Sequence, residues 1–247
     1  VLVIVQFSLS IILIISTAVV FRQMNFMQNR NIGFERDNVF YAWMQGDMAR
    51  NYETVRNRLL SGPGVESVTM GTSLPIEIGN SSSGLTWEGK NPDERILFTN
   101  IDVDYEFIQT MKMEMVEGRA FDRNIITDTV NYIVNQKAAE KFGFKNGTAG
   151  QDLTMWERPG KIVGVVKDFN FGSLHSDIEP LVMRVARSVE WGCLLLGAKT
   201  NETIQALSAV EKIWKEYASI YPFGYSFLNQ DWENFYQAEG QMVCAAG

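Results

Sequence analysis

The chain opens on "VLVIVQFSLSIILIISTAVVF", 21 residues without a charge. A helix of that length rises about 30 Å, the thickness of a bilayer's hydrocarbon core, so the run predicts a transmembrane span. A secretory signal peptide is the rival reading. It would need an initiator Met, a basic leader and a small-x-small cleavage pattern before Arg22, and the run has none of these. The missing Met carries the expectation that this is a piece of a longer chain. Gln6, Ser10 and Thr17 fall within about 40° of one another on a helix. They form either a stripe for packing on another helix or scattered polar residues tolerated in lipid.

After the span, "RQMNFMQNRNIGF" keeps helix-forming residues up to Gly33. The helix is expected to leave the membrane as a stalk, filling residues 1–33, before the glycine stops it. The other end mirrors this arrangement. "DWENFYQAEGQMVCAAG" sets Trp232, Phe235, Tyr236 and Glu239 at helical spacing and turns apolar and small as it closes. Residues 230–247 are therefore expected to form a second stalk leading into a second span. Arg22, Arg30 and Arg36 would draw their side towards the cytoplasm by the positive-inside rule, but that count also needs residues before Val1, and orientation stays open on charge alone.

Between these ends, short apolar runs alternate with helical periodicity. "NVFYAWM" (38–44) reads as a strand, "NYETVRNRLLS" (51–61) as a helix burying Tyr52, Val55 and Leu59, and "GVESVTM" (64–70) as a strand. The order recurs late in the chain as strand 193–199, helix 202–218 and strand 224–229, with Ile204, Leu207, Val210, Trp214 and Tyr217 as the expected buried stripe. Two βαβ units on one sheet predict an α+β, ferredoxin-like layer. Residues from about 75 to 160 read as an inserted, mainly-β subdomain. Its candidate strands are "LTWEG" and "RILFTNIDV", followed by a short helix at "YEFIQTMK" and then a strand and a helix in "NYIVNQKAAEKFG".

Composition removes several functions. A content of 46% hydrophobic and 21% charged residues suits a folded domain. A net charge of −7 leaves no basic field for nucleic acid. "GNSSSGLT" (79–86) has phosphate-loop glycines but lacks the lysine and the following helix. His175, the only histidine, lies between Asp168 and Asp177, yet Ser173 and Ser176 sit in no nucleophile motif and the segment reads as a surface turn. One histidine and no cysteine pair give no metal set beyond common carboxylates. Cys193 lies in an apolar strand and Cys244 in the tail, so no disulfide framework is expected. Asp102 and Asp104, at a strand end, read as the solvated onset of a loop. No catalytic constellation emerges.

Five stretches carry a resemblance. They are "VIVQFSLSIILIISTAVVFRQMNFMQNRNIGFERDNVF", "VDYEFIQTMKMEMVEGRAF", "YIVNQKAAEKFG", "IVGVVKDFNFGSLHSDIEPLV" and "YSFLNQDWENFYQAEGQM". In this order they resemble the FtsX-like, MacB-type ABC transporter permeases, particularly Bacteroidetes-type members. The first stretch looks most like the helix that opens the second of two permease repeats.

The resemblance implies a periplasmic core domain over 38–229, in a bacterial inner-membrane protein that is not itself an enzyme and holds no cofactor. Its partners would be a separate cytoplasmic ATP-binding subunit, a second permease half or an identical copy, and membrane lipid. The transported substrate is left open. ATP hydrolysis would be carried to the periplasmic domain by the stalks, a mechanism called mechanotransmission. The resemblance makes Gly164, Lys167, Asp168, Phe169, Gly172, Leu174, His175 and Pro180 structural residues of a strand, polar loop and strand, with the two glycines allowing close packing and turning. It places Gln23, Gly33, Phe34, Tyr236 and Glu239 in the coupling stalks. A membrane receptor or histidine kinase with an extracytoplasmic sensor domain shares this topology and is the alternative; an anchored secreted hydrolase lacks its catalytic set.

Overall fold

The computed structural model describes residues 2–28, 33–91, 93–172 and 177–235. The chain divides into two compact units, Val1–Ile32 and Gly33–Gly247. The first holds helix α1 (Leu2–Gln28), whose described side chains, including all of 3–19, are exposed. The Thr17 hydroxyl donates to the Leu13 carbonyl at 2.8 Å, so this member of the expected polar stripe is satisfied within its own helix. Among the described residues no helix is long and apolar enough to cross a membrane. Residues 3–19 rise about 26 Å, a little under the hydrocarbon thickness of roughly 30 Å.

The second unit begins with β1 (Val39–Trp43), α2 (Tyr52–Leu60) and β2 (Val65–Gly71). It continues through β3 (Ser81–Ser82), β4 (Leu85–Trp87), β5 (Phe98–Val103), the short α3 (Phe107–Thr110) and β6 (Met115–Gly118). Then come β7 (Tyr132–Asn135), α4 (Gln136–Phe142), β8 (Asp152–Met155), β9 (Arg158–Val166) and β10 (Leu181–Val185). The last elements are β11 (Cys193–Ala198), α5 (Thr203–Tyr217), β12 (Ser226–Phe227) and a helical stretch over 228–235.

β1 pairs antiparallel with both β11 and β12, and β11 pairs antiparallel with β2. β1 and β2 are therefore parallel with β11 between them, and β11 and β12 are parallel with β1 between them. The order β12-β1-β11-β2, with α2 and α5 as crossovers, is the ferredoxin-like arrangement that the two βαβ units predict. β11 is buried at all six positions, which is why "CLLLGA" is a continuous apolar run without alternation. Its Leu194 and Leu196 share a core with Phe40 and Met70 of the sheet and with Val55, Leu59, Val210 and Trp214 of the two helices.

The chain leaves this layer after Gly71 and returns at Cys193, so the insertion reaches well past the expected edge near 160. β9 and β10 belong to the inserted sheet, which runs β5-β10-β7-β9-β8-β4. Its core gathers Leu85, Phe98, Val134, Leu153, Ile162 and Val182. Phe142 of α4 closes that core, 5.3 Å from the Phe98 ring and 4.9 Å from the Trp87 ring. α4 is bounded at both ends by local chemistry: the Asn135 side chain caps its start, and Gly143, at φ 68°, ends it in the left-handed region. The two parts of the sheet meet through one residue pair, Gly71 and Val103.

Three local expectations are corrected. In α5 the buried residues are Ala206, Val210, Ile213 and Trp214, while Ile204 is 81% exposed. The cause is a close backbone approach: a Cβ on Gly64, at φ +75°, would lie 2.8 Å from the Ala206 nitrogen, so a small residue faces inward there and Ile204 turns outward. The expected strand 224–229 shrinks to Ser226–Phe227 because the exit helix already begins at 228. Asp104 is no solvated loop residue but 5% exposed. From the rotated face of α5, Ile213→Ala should cost about 2–5 kcal/mol in urea unfolding and Ile204→Ala within about 0.5 kcal/mol. Equal costs would contradict this placement.

Candidate functional site where the domain is entered and left

Chain entry is fixed by Gly33. Its φ of +94° lies in the left-handed region, and a Cβ there would sit 2.7 Å from the Phe169 Cβ and 3.1 Å from the Asp168 carbonyl oxygen. The next residue, Phe34, is buried with its ring edge-on to Phe169 at 5.8 Å, and Phe169 in turn meets Phe171 at 5.4 Å. The Glu35 amide donates to the Met111 carbonyl at 2.8 Å.

Two residues further along, the same entry segment reaches the exit. The Arg36 guanidinium lies 5.6 Å from the Trp232 ring centre, and the Tyr41 hydroxyl donates to Asp231 at 2.6 Å. Burial and the Asp231 carboxylate push the Tyr41 phenol up to about 12, so it stays a donor at any physiological pH. Leu228 and Trp232, one helical turn apart, are fully buried and anchor the exit helix by one face. Residues 33–41 therefore touch both the motif loop at Phe169 and the exit helix at Asp231 and Trp232.

The motif residues are placed as follows. Gly164 lies in β9 where a side chain would collide with the Arg119 carbonyl and the Met115 methyl, so close packing does require glycine there. At Gly172 no atom of the described residues lies within 4 Å of where a Cβ would sit, so close packing there is not seen. Lys167 pairs with Glu114 at 2.7 Å across an exposed surface. Asp168 accepts the Lys137 amide of α4 at 2.9 Å, and burial raises its carboxyl above the usual range. The Pro180 carbonyl accepts the Thr99 amide at 2.8 Å. Leu174, His175, Tyr236 and Glu239, and the side chain of Gln23, lie outside the described residues.

Sequence reading missed Asn135. Fully buried, its carbonyl oxygen accepts from the Ala138 amide at 2.9 Å and the Leu181 amide at 2.8 Å, and its amide donates to the Glu179 carbonyl at 2.9 Å. One side chain thus ties the start of α4 to the far end of the motif loop. An Asn just before a helix-forming run was the available signal.

A buried ion cluster was missed as well. Asp104 accepts from the Tyr52 hydroxyl at 2.6 Å and from Arg123 at 2.8 Å, with Arg56 at 3.3 Å. Glu106 takes Arg56 and Arg123, each at 2.9 Å. Tyr52 and Arg56 come from α2, and the other members from the inserted part, so the cluster joins the two. Burial, reinforced by the Glu106 charge, pushes Asp104 up to about 6 against the opposing Tyr52 and Arg123 contacts. Burial works in the same sense on Glu106, but hydrogen bonds from Arg123 and Asp104 and the charge of Arg56 hold it below its ordinary value. Such a network holds elements together and carries no nucleophile. The Cys193 thiol, pushed up to about 12 by burial, is no nucleophile at neutral pH either. Among the described residues no group of three or more His, Cys, Asp or Glu could hold a metal.

Comparison with known proteins bears on the family and the fold. The sequence profile of the MacB-like periplasmic core domain matches residues 2–212. No curated protein matches the chain. Among solved structures it is similar to the periplasmic region of MacB from Actinobacillus actinomycetemcomitans, with 16% identity, 82% of this chain and 94% of that chain covered, and a TM-score of 0.56. It is also similar to the extracellular domain of the noncanonic ABC-type transporter YknZ from Gram-positive bacteria, with 14% identity, 76% and 97% covered, and a TM-score of 0.52. At these identities the likeness is one of fold.

The two carboxylates of the ion cluster make stability depend on pH in opposite senses. Asp104 has a raised folded-state pKa, so its stabilising contribution is complete below pH 3.8 and is lost as pH rises through about 6. Glu106, whose pKa is lowered, acts in the opposite sense. The Tyr52 hydroxyl favours the ionised Asp104. Tyr52→Phe should therefore cost about 1–3 kcal/mol in urea unfolding at pH 8 and less at pH 4; equal costs at both pH values would refute the assignment.

Proposed function

This chain belongs to the MacB-like periplasmic core domain family, and we propose that it is the anchored periplasmic part of an ABC transporter permease that passes conformational change between membrane and domain. In this reading residues 1–33 are the span and stalk, and 38–229 are the core domain with its insertion over 72–192. Residues 230–247 are the stalk to the next span. The protein sits in a bacterial inner membrane with the domain in the periplasm. A separate cytoplasmic ATPase supplies the energy, and a second permease half completes the transporter. Export of a small molecule or work on a lipoprotein both suit such a device.

One observation carries the proposal: the entry segment is fastened to both the motif loop and the exit helix. A displacement of either membrane end would thus be delivered to one packed junction, through Phe34 on Phe169 and Arg36 on Trp232. Family membership favours this reading over a ligand-sensing receptor domain.

Helix breakers in the stalks test the proposal. In the full-length permease assembled with its ATPase, spin labels at the exposed Ile204 of each half should report a distance change on ATP binding. Met24→Pro or Phe235→Pro should abolish that change while ATP hydrolysis persists and the domain still melts cooperatively. An unchanged distance response in both variants would overturn the mechanism.

A further inference from the structure

A second feature lies in the inserted part, away from the entry and exit. In a chain of net charge −7, three arginines, Arg158, Arg184 and Arg187, line one cleft of about 240 Å³ together with a single carboxylate, Asp102. The lining therefore carries a net positive charge of about two, and the remaining walls come from Tyr132, Asn131 and neighbouring loop residues.

Arg184 is held in place before any ligand arrives. Its Nε and one Nη bond the Asp102 carboxylate, the latter at 2.9 Å, and its guanidinium lies 4.4 Å from the Trp156 ring centre. The remaining nitrogen, Nη1, is buried and has no hydrogen-bond partner among the described residues. A buried guanidinium donor without an acceptor is costly and calls for a water or an anion, and the excess of arginine around it favours the anion. The Tyr132 hydroxyl donates to the Arg158 carbonyl at 2.7 Å, which fixes that backbone at the cleft's wall. The Tyr132 phenol is raised by burial, while all three arginines pull it back, so their fields converge on this spot.

We propose that this cleft binds a terminal phosphate, free or as a phosphate monoester, on Arg158, Arg184 and Arg187. A doubly charged anion matches the net lining charge, and its oxygens suit the forked donors of guanidinium groups, whereas a monocarboxylate leaves one charge unanswered. Asp102 keeps Arg184 from turning away when the site is empty.

The test is calorimetric titration of the full 247-residue chain in detergent with inorganic phosphate, glycerol phosphate and acetate, at ionic strength fixed with chloride. Saturable phosphate binding is expected, with a dissociation constant between about 10 μM and 1 mM. Arg158→Gln and Arg187→Gln, both at exposed positions, should each weaken it about tenfold or more with unchanged Tm. Tighter binding of glycerol phosphate would identify an esterified phosphate as the ligand, and weaker binding free phosphate. No saturable binding, binding untouched by both variants, or acetate as good as phosphate would overturn the proposal.

Discussion

Two backbones approach each other where Gly33 meets Asp168 and Phe169, and the rest of the junction depends on that closeness. No side chain fits between them, and the left-handed conformation of Gly33 aims the following residue inward. Phe34 then falls on Phe169, Arg36 reaches Trp232, and Tyr41 reaches Asp231. Each contact is worth on the order of 1 kcal/mol. Three of them form a sizeable share of the roughly 5–15 kcal/mol that holds a domain together.

The domain's sheet has two parts joined narrowly. They share a single residue pair at Gly71 and Val103, and the buried ion cluster supplies a further connection, from Tyr52 and Arg56 on α2 to Asp104, Glu106 and Arg123. Burying charges costs desolvation energy, and apolar packing would hold the parts at least as firmly. What ion pairs add is direction, because forked guanidinium groups meet carboxylates in a restricted set of geometries.

Much of this architecture was legible in the sequence where the governing contacts are local. Tyr52, Val55 and Leu59 announce the buried face of α2 by spacing alone. The two βαβ patterns carry the ferredoxin-like layer. Features set by distant neighbours escaped. Ile204 has the spacing of a buried residue, but the Gly64 turn presses on Ala206, and Asp104 reads as solvated because Arg123 lies 19 residues away. The β8–β9 hairpin hid because its two-residue turn, Trp156–Glu157, has both φ angles positive without the usual Asn-Gly. Trp156 tolerates that turn while its indole donates to Ser82 and lies against Arg184. The junction was legible in part: Gly33, Phe34 and the motif at 167–169 stood out separately, and only the fold brings them into contact.

The most direct measurement is a double-mutant cycle across that contact, with Phe34→Ala, Phe169→Ala and the pair compared by denaturant unfolding of the whole chain. If entry segment and motif loop form one packed junction, the pair costs less than the two single changes together by about 0.5–1.5 kcal/mol. Costs that add within about 0.3 kcal/mol would mean that the two rings act independently, and the coupling junction would lose its physical basis.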